Sequence, residues 1–262
     1  MTRHGLPRHC FSMVKAATPS PRKGAKPGLK PAAAAVPVPG TLRRVLRWVG
    51  RGLLAVLGGY AALILAYAVI NPPTDFYIFS EWRRLGSVDR TWVPLEQMAP
   101  ELARSVVAAE DANFCLHWGF DMVAIREALD EGGGRGASTI SQQVVKNVFL
   151  WQGRSWVRKA LEAMLTPAVE LVWTKRRIIE VYLNVAEFGE GVFGAEAAAQ
   201  HHFRVSAKEL TPTQAARLAA VLPDPKGRDA ANPSSFVRKR AVAAKDGADT
   251  IEADGRAACF EG

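Results

Sequence analysis

The chain has 262 residues, 48% of them hydrophobic, enough for one sizeable core with appendages. Its net charge is +9, but eleven of the 34 Lys and Arg and none of the 25 Asp and Glu fall in residues 1–51, leaving 23 basic against 25 acidic side chains in the remainder. The basic excess belongs to a leader rather than to a folded surface. With no basic stripe interleaved with aromatics, a nucleic-acid partner is discounted.

Residues 1–42 are rich in Pro, Ala, Gly and Lys and carry few large apolar side chains. Such a segment cannot bury enough surface to offset its ordering entropy, so it reads as a disordered basic tail. Met13 is an alternative start. Residues 52–70, GLLAVLGGYAALILAYAVI, follow without a charge. At about 1.5 Å per residue they match the roughly 30 Å of a hydrocarbon core. Arg43, Arg44, Arg47 and Arg51 flank this run, and Asn71, Pro72 and Pro73 stop it. Residues 43–71 therefore read as one transmembrane helix and its flank, N-terminus cytoplasmic, with everything after residue 71 outside. A cleaved signal peptide is the rival, opposed by the long leader and the lack of a small-residue cleavage site. A buried core helix is a further alternative. Phe76, Tyr77, Phe79 and Trp82 suit an interfacial belt and core packing equally.

A second domain spans residues 72–241. Residues 95–222 lack period-two alternation and read as helical. The first chemically suggestive stretch follows a helix over residues 98–109: Glu110, Asp111, Phe114 and His117. An acidic pair beside aromatics can hold a carboxylate of raised pKa, fit to act as a base. The alternatives are a solvated helix end and a structural histidine. Residues 132–136, GGGRG, lead toward a helix N-terminus and resemble a phosphate cradle or a plain flexible loop. In TISQQVVKNVF, residues 139–149, Thr139 and Gln142 form a capping box. Ile140, Val144, Val145, Val148 and Phe149 occupy one half of the helical wheel, and Gln142, Gln143, Lys146 and Asn147 the other. Amides with one lysine suit sugar hydroxyls and phosphate better than a merely solvated face, which favours Glu and Lys. A further helix begins near Ser155, where Arg158, Lys159 and Glu162 share a face with Arg154 just before it. That pattern is either a surface ion pair of a few tenths of a kcal/mol or a cationic cluster with a carboxylate beside it.

Residues 175–194, KRRIIEVYLNVAEFGEGVFG, read as structural, with Glu187 a local hydrogen-bonding residue. In TPTQAARLAAVL, residues 211–222, Thr211, Pro212 and Gln214 open a helix that Pro223 and Pro225 end. Residues 242–262 turn small and polar and read as a flexible tail. The three cysteines, Cys10, Cys115 and Cys259, match neither a zinc pattern nor a disulfide framework. Cys115 and Cys259 can pair in an oxidising compartment, but bridges seldom tie a core helix to a loose tail. The simpler reading is a small buried residue and an incidental thiol.

The ordered set EDANFCLHWGFD, GASTISQQVVKN, RKALE, KRRIIEVYLNVAEFGEGVFG and AARLAAVLPDP resembles the five signature motifs of the peptidoglycan glycosyltransferases in their monofunctional form. The resemblance runs from about residue 76 to 240. It implies a mainly α, lysozyme-like, two-lobed catalytic domain preceded by one transmembrane helix, with a membrane-associated lobe admitting lipid-tailed substrate. It implies a hexosyltransferase that polymerises glycan strands for the cell wall. In that reaction the C4 hydroxyl of lipid II attacks the anomeric carbon of the lipid-linked nascent glycan with inversion, and undecaprenyl diphosphate leaves. Residue by residue, Glu110 matches the general base and Glu162 the second essential glutamate. Lys146 and Arg154 match cations for the pyrophosphate. Ser138, Gln142, Gln143, Asn147, Arg158 and Lys159 match cleft-lining positions, and Asp111, Phe114 and His117 shape the first motif.

The resemblance also implies a bacterial inner-membrane location with a periplasmic catalytic domain, and other wall-synthesis or division proteins as candidate partners. The sequence requires no cofactor; Mg²⁺ or Mn²⁺ enters on the family resemblance alone. His201 and His202 depart from the common pattern, as does the Gly-rich lead. S-x-x-K is met only within the tail, as at residues 12–15, so no transpeptidase activity is expected. A glycan-cleaving enzyme of the same fold would have no use for the cations or the anchor. A non-catalytic scaffold would not need both glutamates.

Overall fold

A computed structural model describes residues 40–132 and 136–261. The disorder expected over residues 1–39 and the centre of the GGGRG stretch, residues 133–135, lie outside the described residues. Helix α1, Gly40–Tyr67, is long and apolar enough to cross a membrane. It begins within the segment read as tail and ends three residues before Ile70, where the chain turns toward Pro72 and Pro73, which lack the N–H a helix needs.

Residues from Gly50 onward form one compact unit, and those up to Val49 belong to another. Within the larger unit the last turns of α1 are held by side chains. The Trp173 indole donates to the Ile64 carbonyl (2.7 Å), Tyr60 to the Phe149 carbonyl (3.3 Å), and Arg177 to the carbonyls of Tyr67 (3.1 Å) and Ile70 (2.9 Å). Helix α2, Phe76–Leu85, starts on Asp75, whose carboxylate accepts from the Ile78 amide at 2.8 Å. It divides the aromatic group. Tyr77 turns inward to Glu187 and lies edge-on to Phe193, whereas Phe76, Phe79 and Trp82 stay exposed.

Three helices form the layer that carries the first chemical residues: α3 (Pro100–Glu110), α9 (Pro212–Val221) and α10 (Ser235–Ala253), packed on one another. Their contact faces are built of small residues. Ala215, Ala216, Ala219 and Ala220 of α9 are buried, and a Cβ on Gly247 of α10 would lie 2.9 Å from that of Ala108 in α3. Close approach of α10 therefore fixes the last turn of α3. Two short helices, α4 (Met122–Asp130) and α8 (Ala195–Phe203), lie elsewhere along the chain. A second group is α5 (Ile140–Phe149), α6 (Trp156–Val172) and α7 (Lys175–Val185), with α5 against both others. Asn184 of α7 is buried and fully used: it donates to the carbonyls of Val93 (2.9 Å) and Glu180 (2.8 Å) and accepts from the Val93 amide (3.0 Å).

Three minimal strands escaped the sequence reading, being too short for alternation to register. They are β1 (Asp89–Arg90), β2 (Glu187–Gly189) and β3 (Val192–Phe193), in order β1-β3-β2, with β1 parallel and β2 antiparallel to β3. Glu187 accepts the Gly191 amide at 3.0 Å, the local role expected of it, and also the hydroxyl of Tyr77 from far along the chain.

The C-terminus corrects two expectations. Instead of fraying, the chain continues through α10 and a last turn, α11 (Ala258–Glu261). Ala241, Ala244, Ala248, Ile251 and Phe260 are buried; alanine at helical spacing gives a core stripe that average composition conceals. Cys115 and Cys259 are bonded, with Cα atoms 5.7 Å apart and 144 residues between them in sequence. Closing so long a loop limits the unfolded chain by about 4–5 kcal/mol in the chain-entropy account. The pairing is possible because the tail is docked rather than loose.

Gly119 has φ +83°, and a Cβ there would lie 2.6 Å from the Thr166 methyl. Gly119→Ala is expected to lower stability by about 2–4 kcal/mol through strain and overpacking, read as a drop in Tm by circular dichroism.

Candidate active site

Glu110 is the last residue of α3, held there by the α9–α10 packing. The next residue, Asp111, ends the helix and is buried. One of its oxygens lies 2.7 Å from His117 Nε2 and the other accepts the Ile140 amide at 2.9 Å. A single carboxylate thus joins the loop of residues 111–121 to the N-terminus of α5, where unpaired amides favour negative charge. Thr139 completes the junction. It caps α5 with Gln142 in the expected reciprocal box, and its hydroxyl donates to the Gly119 carbonyl at 2.7 Å.

One turn into α5, Gln143 donates to Glu110 Oε2 at 3.0 Å and accepts the Tyr182 hydroxyl at 3.1 Å. Because Tyr182 donates to the amide oxygen, the amide nitrogen must point at Glu110. Burial raises the Glu110 pKa, while the Gln143 bond and the charges of Arg240, Lys146 and Arg228 hold the rise back. Burial lowers the Lys146 pKa, helped by the adjacent Arg158 and opposed by Glu110. Glu110 and Lys146 are thus electrostatic neighbours in a site of reduced solvation.

The third cluster lies on α6, whose N-cap is Ser155 as expected. Glu162 is buried at 2% exposure and paired with Arg158 and, at 3.0 Å, with Lys159; Lys159 also donates to Ser138 at 3.0 Å. This is no surface pair. Removing one partner of a buried pair strands the other, at about 3–5 kcal/mol. Burial lowers the Lys159 pKa, as do Arg158 and Lys146, so the three cations share one field.

Two cavities border these groups. One, of about 240 Å³, is lined by Glu110, Asp111, Asn113, Asp121 and Ser138. The other, of about 180 Å³, is lined by Gln143, Lys146, Asn147, Gln152, Tyr182 and Glu187. The Glu110–Gln143 hydrogen bond connects the two sets of lining residues.

Most residues singled out in the sequence come together here, with two differences. Of the positions expected to line the cleft, Gln142, Arg158 and Lys159 line neither cavity: Gln142 is buried and its side-chain oxygen accepts the Thr139 amide at 3.1 Å, while Arg158 and Lys159 pair with Glu162. Arg154 is exposed in the turn before α6, and the cation whose charge reaches Lys146 is Arg158. Phe114 is fully buried, with Lys175 4.4 Å from its ring centre. Sequence reasoning missed Tyr182, within the stretch read as structural, and the long-range cations Arg228 and Arg240. It also missed buried Glu170, which accepts from Ser141 and from Lys175 (2.8 Å) and braces α5 against α6. No local pattern marks these residues, because their partners lie on other elements.

A family model described as Transglycosylase matches residues 79–247, more than half of the chain. Several relatives named biosynthetic peptidoglycan transglycosylase are similar over most of both chains. The one from Jannaschia sp. (strain CCS1) is 64% identical over 214 residues, 82% of this chain and 90% of its own. That from Xanthomonas campestris pv. campestris (strain B100) is 49% identical over 213 residues, 77% of this chain and 87% of its own. The Pseudomonas entomophila (strain L48) protein is 49% identical over 210 residues, 76% and 89%.

In a carboxyl-resolved NMR titration, Glu110 is expected to titrate above the ordinary 4.5. Gln143→Leu removes a donor that favours the charged form and should move that midpoint higher still; an unchanged or lower midpoint would contradict the assigned hydrogen bond.

Proposed function

The chain belongs to the transglycosylase family and is a peptidoglycan glycosyltransferase of cell-wall biosynthesis, and from that premise we propose that it joins lipid II to a lipid-linked nascent strand by a single inverting displacement. The observation that carries this reading is one half-buried carboxylate, Glu110, held by Gln143 and facing the charge of Lys146, which in turn lies in the field of Arg158.

The chemistry follows from that arrangement. Glu110, ionised, accepts the proton of the acceptor's C4 hydroxyl; its raised pKa makes it a better base than an ordinary carboxylate. The hydroxyl oxygen forms a bond to the anomeric carbon of the strand. The bond from that carbon to the phosphate oxygen breaks, and the electron pair leaves on undecaprenyl diphosphate. Attack opposite the leaving group inverts the centre and requires no covalent glycosyl-enzyme. Lys146, Arg158 and Lys159 supply preorganised positive charge to the departing diphosphate, commonly the largest catalytic contribution. Glu162 holds Arg158 and Lys159 in place as a buried counter-charge.

We assign no step to Mg²⁺ or Mn²⁺. Among the described residues no three His, Cys, Asp or Glu side chains cluster, and both Glu162 oxygens are engaged by cations. This donor set does not fit a divalent ion held by protein ligands alone.

The basic flank and apolar run of α1 support a single-pass anchor in the inner membrane, N-terminus cytoplasmic and catalytic domain periplasmic. Exposed apolar side chains support a membrane-facing lobe. Leu116, Trp118, Met122, Val123 and Val157 all face outward, and Trp156 is 91% exposed, a costly arrangement in water alone. A lipid-tailed substrate then reaches Glu110 without leaving the bilayer. Nothing in the reaction calls for a transpeptidase element.

Glu110→Gln should reduce polymerisation of lipid II by about 10²-fold or more, with an unaltered circular dichroism spectrum; full activity would remove Glu110 from the mechanism. Lys146→Ala should lower kcat by about 10²–10³-fold in the same assay. A reporter at the N-terminus should read as cytoplasmic and one at the C-terminus as exported, and the reverse pattern would overturn the topology.

A further inference from the structure

The loop of residues 111–121 leaves the active site directly after Glu110 and is gripped by the C-terminal segment. Arg256 donates to the Ala112 carbonyl at 3.0 Å, the rings of Phe114 and Phe260 are 6.4 Å apart, and Cys115 is bonded to Cys259. The gripping segment is itself anchored to the body. Arg104 of α3 pairs with Glu252 and, at 2.7 Å, with Glu261, and Arg176 of α7 donates to the Phe260 carbonyl at 2.8 Å. One face of the loop thus meets α5 through Asp111, and another meets the C-terminus through three contacts of different kinds. Only the covalent contact is able to switch.

We propose that the Cys115–Cys259 bridge is a redox-closed positioning clamp for the catalytic loop, so that the enzyme reaches full turnover only after its two thiols have been oxidised. The proposal rests on the function assigned above. The chain of contact runs from Cys259 through Cys115 and Phe114 to Asp111, then across the Ile140 amide to Gln143 and Glu110. None of the clamp residues touches substrate; they act by holding Asp111 and its hydrogen bonds in register.

The redox step balances as a thiol–disulfide exchange. The two thiols lose two electrons and two protons in forming the bond, and a disulfide-bearing oxidant takes up both and leaves as two thiols. Both cysteines are only partly buried, so an exchange partner can reach them. A cytosolic thiol pool would keep the pair reduced and an exported domain would close it, linking loop order to the compartment where lipid-linked substrate is used.

The test compares the full chain in detergent, oxidised, reduced with dithiothreitol, and as the Cys115→Ser/Cys259→Ser variant, at a temperature well below all three melting points. Thiol titration of the oxidised protein should find only Cys10 free. Reduction should lower kcat for lipid II polymerisation about ten- to hundredfold, the scale of a misplaced catalytic group, with KM little changed. Oxidised glutathione should restore it. The variant should be slow from the start and indifferent to reductant. Amide exchange should quicken about tenfold or more over residues 111–121 and at Ile140, but not in α7 or α9.

A bridge that only stabilises the fold would lower Tm while leaving kcat and Ile140 exchange unchanged, and that result overturns the proposal. So would three free thiols in the oxidised protein, or equal inhibition of the variant by reductant. Should the oxidised protein fail to polymerise lipid II at all, the assigned function fails; the exchange measurement still decides the clamp.

Discussion

The site depends on the Asp111 carboxylate more than on any other single group. It is buried at the end of α3, and its two oxygens serve a histidine six residues on and the first amide of a helix twenty-nine residues on. A buried charge of this kind is tolerable only when its lone pairs are used. The demand for those partners fixes both the turn after Glu110 and the start of α5. Gln143 then lies one turn further along, where the helical repeat brings it to Glu110. The placement of Glu110, the proposed base, is therefore a consequence of satisfying its neighbour.

The electrostatics follow from limited solvation. Glu110 and Lys146 are both half-buried, and burial moves their pKa values toward neutrality from opposite sides. Lys146, Arg158 and Lys159 crowd together although like charges repel. Glu162 offsets that repulsion from beneath, leaving the outward side of the cluster available to an anion. The proposed diphosphate is a ligand such a field favours, and Glu110, the proposed base, neighbours Lys146.

The anchor and the chemistry share a support. Tyr60, Ile64 and Tyr67 of α1 meet Phe149 at the end of α5 and Trp173 just after α6. The two helices that carry Gln143, Lys146, Arg158 and Glu162 therefore end on the apolar helix itself. In the proposed topology this fixes the height of the site above the bilayer, and the exposed aromatics of α2 and Trp156 at the start of α6 are available to lipid.

Much of this was legible in the chain. Three helix starts, at Thr139, Ser155 and Thr211, are announced by caps, since a cap is satisfied within three residues. The apolar run shows itself as a membrane-length helix by length alone, and the amide-and-lysine face of α5 by its repeat. The order of the motifs carried the family. What required the fold were partnerships across distance. Gln142 looks like a cleft residue on a wheel and is claimed by its own cap. Arg154 looks equivalent to Arg158 until burial separates them. The polar-seeming tail proved to be a helix, because alanines pack as core only when a neighbouring helix comes close. Local composition and periodicity determined most helical segments between the membrane-length run and α9, several of their starts, and which residue types could do the chemistry. Tertiary packing alone decided which of those residues meet, because hydrogen bonds, ion pairs and the bond between Cys115 and Cys259 depend on distances that sequence separation does not encode.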